Sequence, residues 1–131
     1  MFYLDTNACV VFLRGKSEAL RDRLLAEPPS RLAIPSIVEA ELLLGARLSA
    51  DPDATAAAVR AFLAPFAVEP FGSAAAPHYA AVRATLQKRG ELIGPNDLIV
   101  AATVLAAGGV LVTHNTKEFV RVPGLLLEDW Q

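Results

Sequence analysis

Three carboxylates are placed where they could do chemistry. Asp5 ends the apolar run at the start of FYLDTNACVV and is followed at once by Thr6 and Asn7. Glu41 lies inside SIVEAELLLGARL, and Asp97 stands directly before the apolar run LIVAATVLAA. Each acid sits at the edge of a strongly apolar element. If folding brought the three together they would repel, and their pKa values would rise unless a cation neutralised them. Thr6, Asn7, Asn96, Thr113 and Asn115 add hydroxyl and amide groups, so the donor set is all oxygen. That set suits Mg²⁺ or Mn²⁺, hard ions that keep several waters and bind through a few carboxylates plus substrate phosphate oxygens. Zinc would call for Cys or His clusters, and His78 and His114 belong to no such spacing. The chemistry this implies is phosphodiester hydrolysis, with a metal activating water and stabilising charge on the scissile phosphate.

Each acid also has an ordinary reading. Asp5 is a good N-cap or turn residue, and Asp97 is an acid at a helix N-terminus. Asn96 is a second cap candidate there, which would leave Asp97 free. Glu39 and Glu41 project about 200° apart on a helix. Glu39 is the capping-box partner of Ser36. Glu41 falls in the sector of Ile37, Val38, Leu44, Gly45 and Leu48, where the helix should be packed. An isolated carboxylate is costly to bury there. The bland alternative is a Glu41 at the edge of the stripe or paired to an arginine.

The elements that must position these groups are short. Phe2–Asp5 reads as a strand, and Thr6–Leu13 as a helix ending near Gly15. Ser17 opens SEALRDRLLAE, which Pro28-Pro29 ends. RLAIP is a second strand, and Ser36 caps the next helix. Asp51-Pro52 begins a helix that runs to about Phe66, with proline at its first position. AVEPF is a weak strand, and a helix from about Ala75 to Arg89 stops at Gly90. Asp97–Ala107 is helical, GVLVT is a strand, and Val122–Leu127 closes the sheet edge. Strands alternating with helices imply an α/β fold with a parallel sheet covered on both faces. Ligands in such sheets sit at the carboxyl ends of the strands. Asp5 and Thr113-His114-Asn115 both fall at that end.

The chain has 131 residues, enough for one domain with its own core, and no linker or repeat divides it. It is 53% hydrophobic and 20% charged, with few aromatics, which favours helices on a small buried sheet over a β-sandwich. LIVAATVLAAGGVLV is broken by Thr103 and Gly108-Gly109, so it reads as helix, stop and strand rather than a membrane span. The apolar excess points to a second burial surface such as a dimer contact or partner groove. No cationic segment precedes the first apolar residues, so a secretory signal is not expected. The one cysteine, Cys9, fits a reducing, cytoplasmic setting and reads as a core residue. Net charge is −2, without the basic excess typical of nucleic-acid binders.

LDTN, EAELLLGA, IGPNDLIVAA and LVTHNTKEF occur in this order and at a spacing that resembles the PIN-domain ribonucleases, in particular VapC-type toxins of bacterial and archaeal toxin–antitoxin modules. The resemblance spans Phe2 to the terminal LEDWQ. It implies one PIN-like domain over residues 1–131, a three-layer α/β/α fold with a short, mostly parallel central sheet. It implies a Mg²⁺- or Mn²⁺-dependent endoribonuclease with Asp5, Glu41 and Asp97 as catalytic, metal-holding acids. Thr6, Asn7, Asn96 and Thr113 support them. Many relatives carry a fourth acid where this chain has Asn115, which can ligate through its carbonyl but brings no charge. Glu118 could supply that charge from the next turn. The resemblance further implies an RNA substrate such as tRNA or rRNA, an antitoxin partner, and a homodimer. Arg14, Lys16 and Lys117, nearest in sequence to the acidic motifs, are the candidates for RNA phosphate contact.

Two other readings compete. An aspartyl-phosphate phosphatase would use Asp5 as nucleophile, but needs a second Asp where Asn7 stands. A catalytically idle PIN-like protein-binding module would explain Asn115, yet has no reason to keep three mutually repelling acids.

Overall fold

In the computed structural model, which describes residues 1–131, the short apolar runs are strands: β1 (Phe2–Leu4), β2 (Leu32–Pro35), β3 (Ala67–Glu69), β4 (Val110–Val112) and β5 (Leu126–Glu128). They make one sheet in the order β3-β2-β1-β4-β5 with every neighbouring pair parallel. β1 and β2 are buried throughout and β4 nearly so. Such strands read as unbroken apolar runs because both faces are covered. The helices are α1 (Thr6–Leu13), α2 (Glu18–Ala26), α3 (Ser36–Arg47), α4 (Pro52–Leu63), α5 (Ala76–Lys88), α6 (Pro95–Ala107) and the single turn α7 (Thr116–Phe119). This is the α/β/α arrangement expected, with a sheet wholly rather than mostly parallel.

Strand order carries the functional consequence. The chain winds outward from β1 through β2 to β3, then crosses back to β4 and continues to β5. The direction therefore reverses between β1 and β4. In open α/β sheets a crevice forms outside the carboxyl ends of the strands at that reversal. Asp5 is the first residue after β1 and Thr113 the first after β4. The Asp5 N–H also donates to the Val112 carbonyl at 3.2 Å, which holds the two strand ends side by side.

Leu4, Ile34, Val38, Val104, Leu111 and Phe119 belong to one continuous apolar core. α6 is buried from Leu98 to Val104 apart from half-covered Ile99, which explains why its sequence is apolar all round. Thr103, the polar exception, donates its hydroxyl to the Ile99 carbonyl at 2.7 Å. At the junction of α6 and β4 only glycine fits at 109. A Cβ there would collide with the Tyr3 ring, lying 2.6 Å from Cδ2, and would be 3.0 Å from the Met1 carbonyl oxygen. Away from the crevice, Trp130 packs edge-on against Phe2 at 5.1 Å, and the Arg23 guanidinium lies 4.3 Å from the Trp130 ring.

Four local expectations need correction. Ser36 is not a cap: α3 starts at Ser36 itself, and its hydroxyl instead accepts the Phe71 N–H at 3.2 Å. Asn96 does not cap α6, because Gly94 occupies the cap position with no side-chain bond. α4 ends at Leu63 rather than Phe66, since Pro65 disfavours helix at the residue before it. The buried stripe of α3 is Val38, Leu42 and Ala46, while Leu44 and Leu48 are exposed. Leucine on both sides of this helix made the packed face ambiguous. Glu41 is half-buried at the border of the stripe, which is where its ordinary reading put it.

Candidate active site

Asp5 is buried at 6% exposure, at the carboxyl end of β1. Its Oδ1 accepts the Ala8 N–H at 2.8 Å, which caps α1. Its Oδ2 accepts the Thr113 hydroxyl at 2.5 Å from across the strand reversal. The Thr113 oxygen in turn accepts the Asn115 N–H at 3.0 Å. Capping and chemistry were competing explanations of Asp5, and the structure has one carboxylate serve as the cap while facing the crevice. Two donors fix its plane, and the remaining lone pairs stay available.

α3 brings Glu41 to the same crevice, where its Oε1 accepts the Thr6 hydroxyl at 2.8 Å. Asp97 arrives on the first turn of α6 and turns back over Gly94, where a Cβ would lie 3.3 Å from the Asp97 Oδ2. Asp5, Thr6, Asn7, Val10, Glu41, Asp97, His114 and Asn115 line an open cleft of about 540 Å³. The residues come from both ends and the middle of the chain, so only the assembled sheet brings them together.

The charges behave as a converging set. Burial pushes the Asp97 carboxyl up to about 6, reinforced by the negative charges of Glu118, Asp5 and Glu41 in that order. Asp5 is also raised, mainly by burial. Hydrogen bonds from Thr113 and Ala8 oppose this, Glu41 adds to it and His114 lowers it. No arginine or lysine relieves the repulsion: the ion pairs of the chain use Glu18, Asp22, Glu27, Glu128 and Asp129 instead. A group of carboxylates kept close without a cationic side chain is one that a divalent ion can neutralise.

The remaining expectations divide. Thr6, Asn7, Thr113 and Asn115 belong to the cleft or its hydrogen bonds. Asn96 does not line it and is exposed on α6. Glu118 does not line the cleft either, although it accepts the Asn115 amide at 3.3 Å and acts on Asp97 through its charge. Arg14, Lys16 and Lys117 are exposed and none lines the cleft. Arg14 lies on the neighbouring apolar groove between α1, α3 and α4, which shares Val10 and Glu41 with it. Cys9 is buried and its thiol pushed well up by burial, as a core residue should be. The residue to which sequence reasoning gave a place at this end of the sheet but no role in the site is His114, which lines the cleft and pairs through Nδ1 with Asp129 Oδ2 at 2.9 Å. Its place directly after Thr113 was the available signal, and zinc-ligand spacing is blind to it.

Residues 2–125 match the family model described as PIN domain. The chain belongs to the PIN-domain family. Among curated PIN-domain relatives it is 38% identical to the tRNA(fMet)-specific endonuclease VapC of Salmonella typhimurium, over 98% of this chain and 97% of that protein. It is 34% identical to ribonuclease VapC2 of Rickettsia felis, over 99% of this chain and 98% of that protein. Among solved structures it superposes on DNA-bound VapBC from Salmonella typhimurium with a TM-score of 0.93, at 38% identity and 99% and 98% coverage of the two chains. On VapBC2 from Rickettsia felis, bound to a DNA fragment from their promoter, the TM-score is 0.92 at 34% identity, covering 100% of both chains.

The donors of this PIN cleft fit a hard divalent cation better than a caged one. No group of three or more His, Cys, Asp or Glu side chains is drawn together closely enough to enclose an ion. Mg²⁺ and Mn²⁺ suit such an open arrangement, because they are held by one or two carboxylates and keep water in their other positions. The raised acids and the predominantly oxygen-bearing lining agree with that chemistry.

Proposed function

We propose that this PIN domain is the endoribonuclease toxin of a toxin–antitoxin pair, and that it hydrolyses RNA with Mg²⁺ or Mn²⁺ drawn to the carboxylates of Asp5, Asp97 and Glu41. The observation that carries this is the convergence of the three acids in one cleft that no arginine or lysine lines. Full-length similarity to curated ribonucleases supports the substrate class, and similarity to VapBC complexes supports an antitoxin partner. We assign tRNA as the first substrate to try, a homodimer as the assembly, and the cytoplasm as the setting. No helix is long and apolar enough to cross a membrane.

When bound, the metal would supply an activated water and charge stabilisation at the scissile phosphate. The residues prepare its place. Thr113 and the Ala8 N–H orient the Asp5 carboxylate, and Thr6 orients Glu41. Asp97 and Glu41 face the same space and provide negative charge for attraction of the ion. Asn7 and Asn115 offer neutral donors and acceptors at the rim.

The test is cleavage of initiator tRNA and of total tRNA by protein freed of any co-purified partner, with Mn²⁺ against EDTA. Wild type should cut only with metal, and Asp97→Asn should lose at least about 10²-fold, the scale of a lost group that stabilises developing charge. Equal cleavage by Asp97→Asn would reject this site.

A further inference from the structure

The cleft is far larger than an ion needs and falls in the range of pockets that take up small organic ligands. Of its eight lining residues, His114 alone carries a ring. Its environment is specific. Nδ1 is held by the Asp129 carboxylate at 2.9 Å, so one edge of the imidazole is anchored. The side chain is nevertheless 59% exposed, so much of the ring is open to a ligand. Asp129 comes from the segment after β5, the strand next to β4, so the anchor and the ring are held by adjacent strand ends. His114 also directly follows Thr113, whose hydroxyl holds Asp5. The ring therefore stands one residue from the group that positions a catalytic carboxylate.

We propose that His114 is a substrate-binding residue on which an unpaired RNA base stacks beside the scissile phosphate, and that Asp129 is its positioning residue. This rests on the ribonuclease reading above. Proteins read single-stranded RNA by stacking splayed bases on aromatic rings, histidine among them. The other lining side chains are carboxylates, a hydroxyl, amides and one valine, none of which offers an aromatic face. The cations Arg14, Lys16 and Lys117 do not line the cleft. A base on His114 would set the register of the strand over Asp5, Glu41 and Asp97, and would favour loops over duplexes.

The experiment measures binding by fluorescence anisotropy in the Asp97→Asn background, which separates binding from turnover. The probes are a fluorescein-labelled single-stranded RNA of about 12 nucleotides, within the usual size of single-strand sites, and an abasic oligomer of the same length. His114→Ala should weaken binding of the RNA roughly tenfold, within the range seen when a stacking ring is removed. His114→Phe should recover most of it, since phenyl stacks but neither ligates metal nor hydrogen-bonds phosphate. The abasic oligomer should bind equally to His114 and His114→Ala proteins. Asp129→Ala should lose part of the RNA affinity, and that loss should disappear with the abasic oligomer or when combined with His114→Ala. Unchanged RNA binding by His114→Ala, no recovery with phenylalanine, or an equal loss on the abasic oligomer would each overturn stacking. Failure of wild type to cut any RNA would instead reject the ribonuclease reading, so the two failures are distinguishable.

Discussion

Thr113 is fully buried and holds Asp5 by its hydroxyl while accepting the Asn115 N–H. Thr113→Val keeps the shape but leaves that N–H and the Asp5 oxygen without their partner. We expect a loss of about 1–3 kcal/mol in stability, the cost of unpaired buried polar groups. Thr113→Ser should retain most of the stability and the cleavage rate, because the hydroxyl remains. Urea denaturation and tRNA cleavage on both variants check this; a valine variant as active as wild type would mean that Asp5 needs no anchor. Asp5, Glu41 and Asp97 were legible in the sequence because each is a carboxylate at the border of an apolar run. Thr113 was legible as a neighbour but not as the direct partner of Asp5, since 108 positions separate them. The exposure of Asn96 was hidden for a different reason. A residue in a first helical turn points inward or outward according to where the helix begins, and Gly94 rather than Asn96 sets that start.

The chain enters β4 packed closely against the start of its neighbour β1. Gly109 marks that point, and its α-carbon faces the Tyr3 ring and the Met1 carbonyl. Gly109→Ala should therefore destabilise the protein by about 1–3 kcal/mol through overpacking. The same substitution at Gly45, inside α3 with nothing within 4 Å of where a Cβ would stand, should stabilise it by roughly 0.5–1 kcal/mol. Thermal unfolding of the pair checks the opposite signs, and two shifts of the same sign would contradict the close approach at Gly109. Element existence was readable from apolar runs and from Pro and Gly punctuation, and Asp51-Pro52 and Gly90 mark real boundaries. The buried face of α3 was not readable. Leu42 and Leu44 are equally apolar as residues, and only the neighbours α1 and α4 decide which one is covered.

Across the whole molecule, burial of Asp97, with the convergence of the acids added to it, is an electrostatic cost that should appear as a pH dependence. The Asp97 carboxyl titrates near 6 when folded, against an ordinary 3.8. A raised carboxyl favours folding while protonated. Its contribution is therefore complete below about pH 4 and lost as pH rises through about 6. Glu118, Asp5 and Glu41 are the charges that face it. In EDTA, the stability difference between wild type and Asp97→Asn should shift against wild type across that window. Mn²⁺ added above pH 6 should raise the wild-type melting temperature and leave Asp97→Asn much less affected, because ligand bound to the native state stabilises it by mass action. A difference that stays flat with pH in EDTA would mean that neither burial nor the neighbouring acids raise the Asp97 carboxyl.

The placement of β1 between β2 and β4 also has a bearing on how such a chain is made. Asp5 is synthesised first, yet the hydroxyl that anchors it and the strand that flanks it are encoded past residue 109. Nearly the entire polypeptide must leave the ribosome before the crevice can close. A stalled or prematurely terminated product would carry Asp5 and Glu41 without Thr113 and His114, and on the present assignment it would cut nothing. On the proposed function, cleavage would then come only from finished copies of the chain.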